Sequence, residues 1–141
     1  MIINSHLECL KGKRMPRIVK CAHIQASNAK HDGSPLEIKA AMIEKHIPLI
    51  ETAGGKGVQI LCLQEIFSGP YFCAEQDIKW YQTAETVPGP TTERLAEYAK
   101  KYGMVMVVPI YEMEIVGVYY NTAAVIDADG KYLGKFRKVH I

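Results

Sequence analysis

Val58–Leu63 (VQILCL) is a nearly continuous apolar run bounded by Gly57 and by Gln64-Glu65. Such a run suits a strand buried on both faces, which ordinarily means a parallel strand under helical cover. Arg17–Gln25 (RIVKCAHIQ) is short and rich in β-branched and apolar residues, and it gives way to the polar, turn-prone Ser27–Pro35. It reads as a first strand followed by a loop. From Leu36, the apolar positions Leu36, Ala40, Ile43, Ile47 and Ile50 recur at spacings of four and three, predicting one buried stripe of an amphipathic helix. Ser34-Pro35 provides an N-cap and N1 pair, and Gly54-Gly55 a stop. Pro48 removes an intrahelical hydrogen bond and is expected to kink or restart the helix. Strand, helix and strand in this order form a right-handed βαβ unit, so the fold class is α/β.

After Glu65 the sequence turns irregular: Ser68-Gly69-Pro70, an aromatic patch with Tyr71, Phe72, Trp80 and Tyr81, then Pro88-Gly89-Pro90. Long loops of this kind build sites. Pro90-Thr91-Thr92 opens a second helix, in which Leu95, Tyr98, Ala99 and Tyr102 share a face and Gly103 takes the C′ position. Met104–Tyr111 (MVMVVPIY) is a third buried strand. Val118–Ile126 and Lys131–Arg137 are two further strand-like segments, flanking the hairpin turn Asp127-Ala128-Asp129-Gly130, in which Gly130 meets the need for a positive φ.

A chain of 141 residues, 48% hydrophobic with net charge +2, is long enough to bury a core without disulfides or a structural metal. Its composition is not that of a disordered chain. No apolar run reaches the length of a transmembrane span, and Met1–Leu10 lacks the core of a secretory signal. A soluble, cytoplasmic protein is the expectation. The four cysteines, Cys9, Cys21, Cys62 and Cys73, have no CxxC spacing and form no ligand pattern with the five histidines. No metal is therefore expected, and the thiols should be reduced, with Cys21 and Cys62 behaving as small hydrophobes inside apolar runs. Lys11, Lys13, Arg14, Arg17 and Lys20 against Glu8 give the N-terminus a basic bias. Without interleaved aromatics this reads as a solvated tail, and neither nucleic acid nor membrane is an expected partner. Residues 1–15 are expected to be a disordered leader and 16–141 the folded unit.

Glu65 stands at the carboxyl end of a hydrophobic strand, where open α/β sheets place their ligand sites. A carboxylate partly desolvated there is expected to have a raised pKa and to serve as a general base near neutrality; the alternative is a strand exit into solvent. The second candidate is Gly134-Lys135-Phe136-Arg137-Lys138-Val139-His140, where cations and a histidine at a strand end suit an anionic intermediate, carboxylate or phosphate. Composition alone favours a solvated basic strand end. The GxGxxG, Walker, HExxH and GxSxG patterns are absent.

Taken together, Leu61-Cys62-Leu63-Gln64-Glu65-Ile66-Phe67, Gly69-Pro70-Tyr71-Phe72-Cys73, Pro88-Gly89-Pro90-Thr91-Thr92, Asn121-Thr122-Ala123 and Gly134–His140 resemble the nitrilase, or carbon-nitrogen hydrolase, superfamily. Within it, the likeness is to the β-ureidopropionase and N-carbamoyl-amino-acid amidase branch, and it covers Pro16–Ile141. The resemblance implies the N-terminal half of an α-β-β-α sandwich and a Cys-Glu-Lys triad working without metal or organic cofactor. Its general base falls on Glu65 and its lysine on Lys138. Tyr71, Phe72, Asn121 and His140 are the expected substrate-binding positions, although strand pairing and core packing explain Asn121 and the Tyr71-Phe72 pair equally well, and His140 is expected to orient the Lys138 loop rather than act as a base. The expected substrate is a small amide or ureido compound, and the full-length enzyme is expected to be a homo-oligomer.

One member of the triad has no counterpart. The family nucleophile follows the Arg-Lys-x-His motif by a few tens of residues, so it is expected beyond Ile141. Cys62, three positions before Glu65 on the same strand, should point to the opposite face and belong to the core. Cys73 is a loop thiol near Glu65, without an oxyanion hole. The alternatives to an N-carbamoyl amidohydrolase are another amidase of the family, of the aliphatic or N-carbamoylputrescine type, or a non-catalytic truncated product.

Overall fold

The computed structural model describes residues 18–140. The leader expected over 1–15 lies outside these residues. Strands β1 (Cys21–Ile24) and β2 (Ile60–Leu63) flank helix α1 (Pro35–Gly55). Two short 3-10 turns, Phe72–Ala74 and Ile78–Thr83, precede helix α2 (Pro90–Tyr102) and strands β3 (Val105–Ile115), β4 (Val118–Ile126) and β5 (Tyr132–Arg137). The strands form one five-stranded sheet in the order β1-β2-β3-β4-β5. β1, β2 and β3 run parallel, with Cys21 opposite Ile60 and Ile60 opposite Val105; β3, β4 and β5 are antiparallel. The βαβ unit and the terminal hairpin thus occur where the sequence places them.

Helix α1 begins with the expected cap. Ser34 Oγ accepts from the Glu37 N–H at 3.3 Å, and Glu37 Oε2 accepts from the Ser34 N–H at 2.8 Å, a reciprocal capping box. Pro48 does not divide the helix, which runs continuously to Gly55. The buried stripe is also rotated from the expected one: Pro35, Ile38, Met42, His46, Ile50 and Ala53 face inward, while Leu36 and Ala40 are exposed. A buried histidine causes the discrepancy, because His46 occupies a core position that an apolar pattern skips. Its Nδ1–H donates to Met42 O at 2.8 Å, its ring meets Phe67 edge-on, and burial lowers its pKa, keeping it neutral. Helix α2 is as expected: Leu95 and Ala99 face the core, and Gly103 closes the helix with φ +60°. The two helices approach closely where Gly54 lies against the Tyr102 ring.

Both helices cover one face of the sheet. Leu61, Leu63, Met106, Val108, Ile110, Ala124 and Ile126 pack beneath them and are essentially inaccessible. Each of these side chains except that of Ala124 contributes roughly 1.5–3 kcal/mol by burial. The opposite face carries Ile60, Cys62, Val105, Val107, Pro109, Ala123 and Phe136, half-buried or exposed. The expectation of strands buried on both faces therefore fails, because the described residues supply helices to one face only. Cys21, expected as a small hydrophobe in an apolar run, is exposed at the start of an edge strand.

Candidate active site

The uncovered face is where the candidate residues converge. β2 ends at Leu63, and Glu65 lies in the turn that follows. Two features hold that turn. Gln64 is buried, and its Oε1 accepts from the Ala26 N–H on the loop leaving β1. Ile66 is buried with φ +45°, a conformation unfavourable for a β-branched residue. Backbone strain of this kind persists only where the surroundings over-determine it, and it is concentrated at functional sites.

Lys138, one residue past β5, donates from Nζ to Glu65 Oε1 at 2.6 Å across 73 residues of chain. Asn121 on β4 binds both partners: its side-chain Nδ2 donates to the same Glu65 oxygen at 2.6 Å, and its backbone O accepts from the Lys138 N–H at 2.8 Å. These hydrogen bonds, from Lys138 first and then Asn121, hold the Glu65 carboxyl below the ordinary carboxylate range, and Glu65 in turn raises the Lys138 ammonium. This corrects the expectation of a raised Glu65 pKa. With both side chains nearly half exposed, too little desolvation remains to outweigh a direct cation. At neutral pH the site is a carboxylate facing an ammonium.

Three concavities meet at this group. One, of about 190 Å³, is lined by Ile66, Phe72, Cys73 and three tyrosines together with Asn121 and Lys138. Burial raises one of those phenols, Tyr111, to about 12, leaving it a neutral donor. The second, of about 450 Å³, includes Gln64, Glu65 and Tyr71. The third, of about 370 Å³, lies on the open sheet face and joins Glu65, Asn121 and Lys138 to His23, Cys62 and Phe136. Phe72 is also packed between Trp80 and Tyr111, so it has a packing role as well as a lining one. Tyr71 is exposed. His140 is exposed and makes no hydrogen bond among the described residues.

Cys62 is not where strand parity with Glu65 placed it. It is half-buried on the open face and borders the same concavity, because the strand ends before Glu65 and alternation no longer applies. Burial pushes its thiol up, and Sγ points to Leu63 O. This protonated thiol lacks the electropositive setting of a nucleophile.

Sequence reasoning passed over Glu112. This carboxylate is fully buried on the helix-covered side, where it receives Lys135 Nζ, Arg137 Nη2 at 2.7 Å, Arg137 Nε at 3.1 Å and Thr122 Oγ1. Burial pushes its pKa up, but the hydrogen bonds from Arg137, Lys135 and Thr122 outweigh that and hold it at about 2. Its signal was the pair of cations at Lys135 and Arg137, which share a strand face.

Residues 21–141 match the carbon-nitrogen hydrolase family. The chain is 41% identical over 131 residues to a β-ureidopropionase of Arabidopsis thaliana, covering 91% of this chain and 32% of that protein. It is 43% identical over 94 residues to an N-carbamoylputrescine amidase of Solanum lycopersicum, covering 66% and 31%. Among solved structures it resembles a carbon-nitrogen hydrolase from Helicobacter pylori, with TM-score 0.74, 26% identity, and 87% of this chain against 40% of that one. It also resembles Saccharomyces cerevisiae Nit3, a member of the nitrilase superfamily, with TM-score 0.67, 26% identity, and coverage of 86% and 44%. The chain belongs to the carbon-nitrogen hydrolase family, within the nitrilase superfamily. It spans about a third of the length of the curated relatives it matches, and its α-β layer pair corresponds to part of the nitrilase fold.

Proposed function

We propose that this chain carries the Glu65 and Lys138 members of a Cys-Glu-Lys amidohydrolase site that cleaves a linear, non-peptide C–N bond. The substrate class is an N-carbamoyl amino acid or amine. The observation that carries the proposal is the 2.6 Å contact between Lys138 Nζ and Glu65 Oε1, braced by Asn121. In the proposed cycle Glu65 takes the proton of a cysteine thiol, and the thiolate attacks the substrate carbonyl carbon. Lys138 stabilises the oxyanion, and the C–N bond breaks as the amine or ammonia leaves with the proton. Glu65 then takes a proton from the water that hydrolyses the thioester. Glu65 in its ionised form is ready to accept that proton, and a covering layer over the open face would raise its proton affinity. Phe72 and Tyr71 border the recesses that would receive the substrate.

No hydrogen bond among the described residues links Cys21, Cys62 or Cys73 to Glu65, and Cys9 lies outside those residues; the nucleophile is assigned from the family resemblance, in which it follows the Arg-Lys-x-His motif. We place it outside the 141 residues. The names of the relatives in two branches support the N-carbamoyl substrate class. A homo-oligomeric, cytoplasmic enzyme completes the proposal; accessible thiols fit a reducing compartment.

The test is a chimera in which residues 21–141 replace the matched stretch of the Arabidopsis thaliana β-ureidopropionase. It should release ammonia from N-carbamoyl-β-alanine, and Glu65→Gln or Lys138→Met should lower kcat by about 10²–10³ or more. An active chimera indifferent to both substitutions would overturn the assignment.

A further inference from the structure

We propose that Glu112 is a positioning residue for Lys138: by clamping Lys135 and Arg137 beneath the sheet, it fixes the end of β5 and so aims Lys138 at Glu65. The proposal rests on the reading of Glu65 and Lys138 given above.

Two rows of side chains lie on opposite faces of the sheet and share β4 and β5, the covered row beginning on β3 and the open row at the turn after β2. On the covered side stand Glu112 of β3, Thr122 of β4 and Arg137 of β5, with Thr122 directly opposite Arg137 in the ladder. Thr122 Oγ1 and both Arg137 nitrogens donate to the one buried carboxylate. On the open side stand Glu65, Asn121 and Lys138, joined by their own hydrogen bonds. Asn121 and Lys138 are the chain neighbours of Thr122 and Arg137. The alternation of a strand converts the fixed direction of each covered residue into the opposite direction of the next.

β5 needs such an anchor. It is an edge strand paired only with β4, and Lys138 lies at its last hydrogen bond, where pairing is weakest. A slip of one residue would exchange the faces of Arg137 and Lys138 and remove the ammonium from Glu65. Apolar packing supplies little resistance to a slip there, because Phe136 and Val139 are exposed. The Glu112 contacts are specific where packing is not: two cations of the strand reach a single fully buried carboxylate, and Lys135 Nζ also donates to Val87 O at 3.0 Å, tying β5 to the loop before α2. Buried ionic groups can be replaced by apolar ones with little loss of stability, and fixing a register is the best-attested reason to retain them.

The test uses the 141-residue chain and reads the reactivity of Lys138 Nζ by trace acetylation at neutral pH, quantified by mass spectrometry. Glu65→Gln sets the scale by removing the partner of Lys138, and it should raise acetylation about threefold. Glu112→Gln should raise Lys138 acetylation to nearly the same level while leaving Lys101, paired with Glu51, unchanged. Arg137→Gln, at a half-exposed side chain, should do the same and serves if Glu112→Gln does not fold. Unchanged Lys138 reactivity in the folded variants would overturn the positioning role, as would an equal rise at Lys101, which indicates general loosening. No response of Lys138 to Glu65→Gln would sink the pair itself, and with it the reading beneath the proposal.

Discussion

Acid should destabilise this fold chiefly through Glu112. Its carboxyl is fully buried and titrates at about 2, against an ordinary value of 4.5, once hydrogen bonds from Arg137, Lys135 and Thr122 have outweighed the cost of burial. A pKa depressed in the folded state contributes stability that is present above the unfolded value and lost as pH falls through the folded one. The interval from 4.5 to about 2 corresponds to about 3 kcal/mol. Glu112→Gln keeps the shape and removes the charge, so the variant should be about 3 kcal/mol less stable than wild type at pH 7. The gap should close below pH 4.5 and fall under about 0.5 kcal/mol near pH 2. Urea unfolding of both proteins at a series of pH values, analysed at constant m, measures it. The other carboxylates with lowered pKa, among them Glu37, Glu44, Glu65, Glu75 and Asp77, are solvent-facing and present in both proteins, so they largely cancel in the difference. Glu114 does not cancel completely: it already holds Arg137 at 2.9 Å and can keep it when Glu112 is neutral, which makes the measured gap a lower bound. Parallel stability curves for wild type and variant between pH 5 and pH 2 would refute the reasoning.

The apolar open face should make the 141-residue chain self-associate, and Phe136→Glu, at an exposed ring near the end of β5, should shift it toward monomer in sedimentation velocity; a monomeric wild type would count against this. Gly54→Ala should cost about 1–3 kcal/mol in urea unfolding, because a β-carbon there would lie 2.3 Å from Cγ of the Tyr102 ring and force the two helices apart. No loss of stability would show that the helices pack with slack.

Local signals reported local structure well. Apolar runs mark β1, β2 and β3, Ser34-Pro35 marks the start of α1, and Gly103 and Gly130, both at positive φ, mark a helix end and the β4–β5 hairpin. The errors arose where a residue's state depends on something distant. His46 fills a core position because Phe67 lies beside it in space, and a hydrophobic pattern has no means of counting it. The proton affinity of Glu65 was expected to rise at a strand exit, but it is lowered by a lysine 73 residues away. Cys62 lies on the open face although strand parity with Glu65 predicts the core, because alternation ends at Leu63 and the chain enters a turn where Ile66 adopts φ +45°.

The basic cluster at 135–138 shows how such a case can be resolved from the residues themselves. As composition it is three cations at a strand end, which favours a solvated basic end over an anion site. Alternation divides it: Lys135 and Arg137 share one face and Lys138 takes the other. Two cations on the covered face of a sheet require a buried anion, and the polar sequence Tyr111-Glu112-Met113-Glu114, opposite in the antiparallel meander, contains it at Glu112. With Lys135 and Arg137 neutralised there, only Lys138 is left to face the open side, and the anion it meets is Glu65. The covered ion cluster and the exposed ion pair are therefore two consequences of one strand's alternation, and a change that disturbs either should be felt by the other.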